Sequence, residues 1–254
     1  MGDVVRLPAS REEFRDALSA DYESRAPEMS WEQFKREFFI WNPGQHVALI
    51  GPTDSGKTTL ALNILADRRF VVATATKPYD ETLDHFASTH RFLKLERWES
   101  KDPITFPRRV LWPDATDLYA ARKQQHAFRE AFRQIYRDGG WTVYVDELWF
   151  VAQHLKLEFE IKTFLLQSRS NNISLVNATQ RPAWVPLEVY DQSRWLFFWR
   201  DNDERNLSRL SGISWLSANV VKSLIARLKP HQVLVINTRT GEMVRTMSPP
   251  PEGK

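Results

Sequence analysis

The stretch "VALIGPTDSGKTTLALNIL", Val47 to Leu65, decides the fold. Val47–Ile50 is an unbroken apolar run, the pattern of a strand buried on both faces of a parallel sheet. From Thr59 onward apolar residues return at helical spacing. Between them Gly51 to Thr58 reads G-x-x-x-x-G-K-T. Gly51 and Gly56 let the chain fold back, so that successive backbone N–H groups point inward at phosphate oxygens. The residues expected to hold a nucleotide are therefore Gly51, Pro52, Thr53, Asp54, Ser55, Gly56, Lys57, Thr58 and Thr59. Lys57 is placed to reach the β- and γ-phosphates, and the Thr58 hydroxyl to hold Mg²⁺. The helix N-terminus that follows favours an anion. ATP and Mg²⁺ are the expected cofactors.

Outward from this loop the chain alternates short apolar runs with helical segments. "RFVVATAT" (69–76), "RRVLWP" (108–113), "WTVYVDE" (141–147), "ISLVNATQRP" (173–182) and "RWLFFWR" (194–200) read as strands. Helices are expected over 116–137 and 157–170, with "YDETLDHFA" helical between the second and third strands. This alternation predicts an α/β fold, with a mainly parallel sheet flanked by helices. Past Asp201 two helices, about 203–210 and 215–228, precede a hairpin turning at Thr240-Gly241. Ser10 and Ser30 head acid-rich helical starts, so residues 1–42 read as a helical N-terminal extension. The ATPase-type domain is expected over 43–247, and "SPPPEGK" (248–254) as a disordered tail.

Two further motifs assign the chemistry. "TVYVDE" closes an apolar strand with adjacent acids. Asp146 at the strand end suits the Mg²⁺ shell, and Glu147, one residue on, is placed to orient or deprotonate water. An additional strand between the two nucleotide motifs, together with a glutamate, marks the ATPase division that holds RecA-like motors and AAA+ proteins. The third motif is Ser168-Arg169, then an apolar strand ending Thr179-Gln180-Arg181-Pro182. Gln180 falls at the C-terminal edge of the strand next to the acid-bearing one, within reach of a γ-phosphate. These three motifs together resemble the FtsK/HerA superfamily of DNA-pumping ATPases, and among them the compact viral and phage DNA-packaging ATPases. The resemblance spans roughly 47–200. It implies a RecA-like fold, ATP hydrolysis coupled to translocation of double-stranded DNA, and a homo-oligomeric ring of roughly five or six subunits. It also implies a viral portal or capsid protein as a partner, and an arginine supplied in trans to the neighbour's nucleotide. Arg169 occupies the matching place, and Arg181 and Arg194 are lesser candidates. The expected catalytic set is thus Lys57, Glu147, Gln180 and Arg169.

Composition is compatible with this. The net charge is only +3, but its distribution is uneven. Residues 1–50 carry 6 basic and 9 acidic side chains, and residues 169–254 carry 12 basic and 7 acidic. A basic half suits a polyanionic partner such as DNA, whose backbone is gripped without sequence preference. Arg205, Arg209, Lys222, Arg227 and Lys229 are among the basic residues offered there. The chain has no cysteine, which removes disulfide and thiolate chemistry. No apolar run reaches the roughly 18–20 residues that span a bilayer, and no signal peptide is evident. No membrane insertion and a cytoplasmic location, the host's if the protein is viral, are expected. Trp195 and Trp199 lie in an apolar strand and read as core. Two other functions fit the same loop: a replication helicase or AAA+-type loader, and a nucleotide-gated scaffold that acts on protein partners.

Overall fold

The computed structural model describes residues 24–99, 101–201, 203, 205–206 and 218–250. The helix expected over 203–210 and the start of the N-terminal extension fall largely outside these residues. Among the described residues ten strands form one sheet. In chain order they are β1 (Glu28–Met29), β2 (His46–Ile50), β3 (Val71–Thr74), β4 (Leu93–Leu95) and β5 (Arg108–Leu111), then β6 (Thr142–Val145), β7 (Ser174–Thr179), β8 (Ser193–Trp199), β9 (Gln232–Asn237) and β10 (Met243–Met247). The helices are α1 (Trp31–Gln33), α2 (Lys57–Leu65), α3 (Glu81–Thr89), α4 (Ala121–Asp138), α5 (Glu158–Gln167), α6 (Glu188–Asp191) and α7 (Ala218–Ala226). The spatial order of the strands is β1-β10-β9-β8-β2-β7-β6-β3-β5-β4. From β8 through β4 all neighbours are parallel, whereas β8, β9 and β10 pair antiparallel.

Period-two alternation builds two cores, one on each face of the sheet. Ala48 and Ile50 of β2, Val72 of β3, and Val143 and Val145 of β6 face one layer. Val47, Leu49, Val71, Ala73 and Tyr144 face the other. The first layer is covered by α4, α5 and α7. On α4, Gln124, Ala127, Phe128, Ala131, Phe132 and Ile135 are buried at helical spacing. The second layer is covered by α2 and α3, which start at different caps. Asp80 caps α3 by accepting a hydrogen bond from the Leu83 N–H, whereas α2 begins at an uncapped Gly56. Each fully buried Leu or Phe here contributes about 1.5–3 kcal/mol.

Two features refine the expected layout. The strand that lies between β2 and β6 in space is β7, which carries Gln180 at its end. The 108–111 strand, though between the two motifs in sequence, is outside β3. Part of the expected N-terminal extension is also built into the sheet. Phe34 and Phe39 are buried against Trp195 and Phe197, and β1 pairs with β10.

Candidate active site

Parallel strands deliver their C-terminal ends to one edge of the sheet, and the motif residues collect there. β2 ends at Ile50, and the Gly51 N–H donates to the carbonyl of Thr179 at the end of β7 (3.2 Å). A Cβ on Gly51 would lie 2.8 Å from Cβ of Trp199, so β8 closes in behind the loop and only glycine fits. Asp54 (φ 58°) and Gly56 (φ 101°) take left-handed conformations that turn the chain back into α2. No side chain caps α2, so its first-turn N–H groups face the loop's concavity unpaired within the helix.

Lys57 is almost fully buried there. Its Nζ donates to the Pro52 carbonyl (2.5 Å) and to Ser55 Oγ (3.4 Å). Burial lowers its pKa to about 8, against the opposing pull of Asp146, Glu147 and Asp54. An ammonium held this way gains from an anion that restores its solvation.

Asp146 and Glu147 follow β6 directly. The Tyr144 hydroxyl, two residues back on the same face, donates to Asp146 Oδ1 (3.0 Å), and the Thr58 side chain faces the same hydroxyl. Burial pushes the Tyr144 pKa well up, so it stays a neutral donor. Lys77, just past β3, stands 3.7 Å from Asp146 Oδ2 and 3.8 Å from Asp80 Oδ2. Glu147 sits at φ 52°, an uncommon backbone for glutamate of the kind that collects at functional sites. Its Oε1 is buried with no hydrogen-bond partner, and burial followed by Asp146 raises its pKa. At the end of β7, Gln180 Oε1 accepts from Thr53 Oγ1 (2.7 Å), which ties the amide to the phosphate loop. Arg181 stacks over Trp149, 5.2 Å from the ring centroid, and its charge is felt by Glu147.

The loop, Lys77, Asp146 and Gln180 line one cleft of about 780 Å³, whose far side is made by His231 and Met247–Pro250. Ser248–Pro250, the described part of the expected tail, therefore lie against the loop. Ser248 accepts from Trp199 Nε1 (2.9 Å) and donates its N–H to the His231 carbonyl (2.8 Å). The hard oxygens of Thr58 and Asp146, with Tyr144 orienting the carboxylate, are a donor set that fits Mg²⁺.

Sequence reasoning did not assign Lys77, His231 and Ser248 of this cleft, nor Tyr144, which supports Asp146 from beneath it. Lys77 follows a parallel strand's C-terminal end, and Tyr144 shares a strand face with Asp146, so both left a signal. His231 and Ser248 left none, because distant strand pairing alone brings them in. The structure does not bring Arg169 or Arg194 to the cleft. Both lie where β7 and β8 begin, at the opposite edge of the sheet.

Fold and loop together define a P-loop NTPase fold. Similar solved structures include the genome-packaging NTPase B204 of Sulfolobus turreted icosahedral virus 2, in complex with AMPPCP. It matches with a TM-score of 0.59 and 18% identity, over 80% of this chain and 97% of that one. B204, described as the DNA-packaging ATPase from Sulfolobus turreted icosahedral virus, matches with a TM-score of 0.59 and 17% identity, over 81% and 98%. EssC (ATPases 2 and 3) of Geobacillus thermodenitrificans matches with a TM-score of 0.51 and 12% identity, over 84% of this chain and 41% of that one. No family model and no curated protein matches the chain. Among the described residues no helix is long and apolar enough to cross a membrane.

Proposed function

We propose that this chain is a Mg²⁺-dependent ATP hydrolase that works as a ring of copies and translocates double-stranded DNA, in the manner of a viral genome-packaging motor. The observation that carries hydrolysis is the buried, unpartnered Oε1 of Glu147, a carboxylate within electrostatic reach of Lys57 in the phosphate loop. A carboxylate oxygen left without a donor is positioned to accept a proton from water. In the reaction a water oxygen bonds to the γ-phosphorus while the bond from that phosphorus to the β–γ bridging oxygen breaks. Glu147 receives the water proton, and ADP and phosphate are released.

The loop N–H groups and Lys57 hold the phosphates, and Thr58 and Asp146 are the residues that would hold Mg²⁺, which would supply neutralisation of the phosphate charge. Gln180, bonded to Thr53, holds the water or registers the γ-phosphate. Arg169 lies at the far edge of its own sheet and acts on the neighbour's nucleotide. Likeness of fold to the packaging NTPase B204 supports the DNA substrate, as does the basic C-terminal half. A portal or capsid protein is the partner that fits such a motor, and the host cytoplasm its setting.

ATP turnover by the purified chain, with and without duplex DNA, tests the proposal. Duplex DNA is expected to raise the rate several-fold. Steady basal turnover that no nucleic acid changes would count against translocation.

A further inference from the structure

Lys77 lines the same cleft as the phosphate loop, yet the proposed hydrolysis gives it no part. The sheet places it there. β3 and β6 run side by side with Thr74 opposite Val145, so the chain just past β3 meets the acids just past β6. The backbone at this point is pinned from two sides. Gln124 of α4, itself buried, donates to the Thr76 carbonyl (2.9 Å), and Trp112, next after β5, donates from its Nε1 to the Lys77 carbonyl (2.9 Å). The side chain is not pinned. It is 56% exposed, and its ammonium stands 3.7 Å from Asp146 Oδ2 and 3.8 Å from Asp80 Oδ2, both beyond hydrogen-bond length.

The two lysines of the cleft are therefore held in different ways. Lys57 is almost fully buried and donates to the loop's own carbonyl at Pro52. Lys77 has only loose, part-exposed ion pairs, which hold a long side chain weakly. Its charge nevertheless reaches both Lys57 and Glu147, so it stands among the groups proposed to bind and hydrolyse the nucleotide. Its two carboxylates also have other partners. Asp80 Oδ1 accepts from the Leu83 N–H as the cap of α3, and Asp146 Oδ1 accepts from Tyr144. Asp146 is, moreover, the carboxylate proposed to hold Mg²⁺. Once shared with a divalent cation it attracts Lys77 less, and the strongest anion left in the cleft is a triphosphate.

We infer that Lys77 is a second phosphate-binding lysine of this chain, whose ammonium leaves Asp146 for the γ-phosphate of a bound nucleoside triphosphate. A diphosphate lacks that group, so Lys77 is the residue that separates ATP from ADP in affinity. The pinned backbone sets where the ammonium can go, and the unpinned side chain lets it go there. Charge that builds on the phosphoryl oxygens as the bond breaks meets the same ammonium. That last part rests on the reading of the chain as an ATP hydrolase, whereas discrimination between the nucleotides does not depend on turnover.

Lys77→Met, which keeps the aliphatic stem of an exposed side chain, and Lys77→Arg, which keeps the charge, test it. Fluorescent ADP and a fluorescent non-hydrolysable ATP analogue are titrated onto each protein with Mg²⁺. Lys77→Met should bind the triphosphate analogue about tenfold more weakly than wild type. Its affinity for ADP should be unchanged, which also shows that the variant is folded. Lys77→Arg should keep most of the wild-type preference. Equal weakening of both nucleotides, or no weakening of either, overturns the inference. So does a tighter Mg²⁺ midpoint with triphosphate affinity intact, which would make Lys77 only a counter-ion to Asp146. ATP turnover by the same proteins keeps the two readings apart. Wild type that prefers the triphosphate through Lys77 but never hydrolyses ATP would sink the hydrolase reading and leave this inference standing. Wild type that hydrolyses ATP, with the same triphosphate preference in Lys77→Met, would do the reverse.

Discussion

The two edges of the same sheet are built in opposite ways. At the C-terminal edge nearly every polar group has a local partner: Lys57 its loop carbonyl, Asp146 its tyrosine, Gln180 its threonine. Among the buried side-chain atoms described there, Glu147 Oε1 has no hydrogen-bond partner, and it is the oxygen to which the proposed hydrolysis assigns the water proton. At the N-terminal edge the Nε and Nη1 of Arg194 are buried without acceptors, and the charge of Arg169 reaches His46, which is buried with its pKa lowered to about 4. One edge carries the residues proposed to bind and hydrolyse the nucleotide; the other carries buried arginine nitrogens without acceptors.

The sharpest way to break the comparison is at the open oxygen. Glu147→Gln should keep nucleotide affinity while turnover falls by roughly 10²–10⁴-fold, as expected for loss of a general base. Turnover near wild type would remove Glu147 from that role. At the other edge, His46 has its pKa lowered from 6.5 to about 4 by burial. The unfolded chain therefore takes up a proton between those values while the folded chain does not. Stability is unaffected above 6.5, falls as pH drops, and levels off below about 4, a loss on the order of 3 kcal/mol. His46→Asn, which keeps an acceptor for the Leu175 N–H, should flatten that acid limb in denaturant titrations.

Lys57→Ala should weaken nucleotide binding by roughly 100-fold, about 2.7 kcal/mol, read by fluorescent-nucleotide titration. The smallest effect belongs to Tyr144→Phe. Asp146 loses its orienting donor, and affinity for the Mg²⁺ nucleotide should fall about tenfold, with a smaller change when Mg²⁺ is chelated. An equal loss with and without Mg²⁺ would make Tyr144 a packing residue.

The fold was legible in the sequence wherever apolar runs met strong punctuation. The loop at 51–58, the acids after β6 and the strand ending at Gln180 all carry local signals of residue type and spacing. β4 was missed because Leu93–Leu95 is three residues long with a lysine at its centre. β1, two residues at Glu28–Met29, is a strand only by pairing with β10. The π-helical turn at Phe150–His154 likewise has no pattern to betray it. The same division holds for the active site. Lys57, Asp146 and Glu147 are expected at one site from their neighbours in sequence, and the sheet brings them within electrostatic reach of one another. The place of His231 and Ser248 in the cleft was not legible, because it depends on β9 pairing antiparallel with both β8 and β10.

The measurement that bears most directly on the proposed ring of copies is ATP turnover per subunit as a function of protein concentration at saturating nucleotide and Mg²⁺. If Arg169 of one copy acts on the next copy's nucleotide, specific activity rises cooperatively with concentration and sinks toward zero on dilution, while nucleotide binding stays constant. Specific activity that is flat from dilute monomer to concentrated protein would contradict the account.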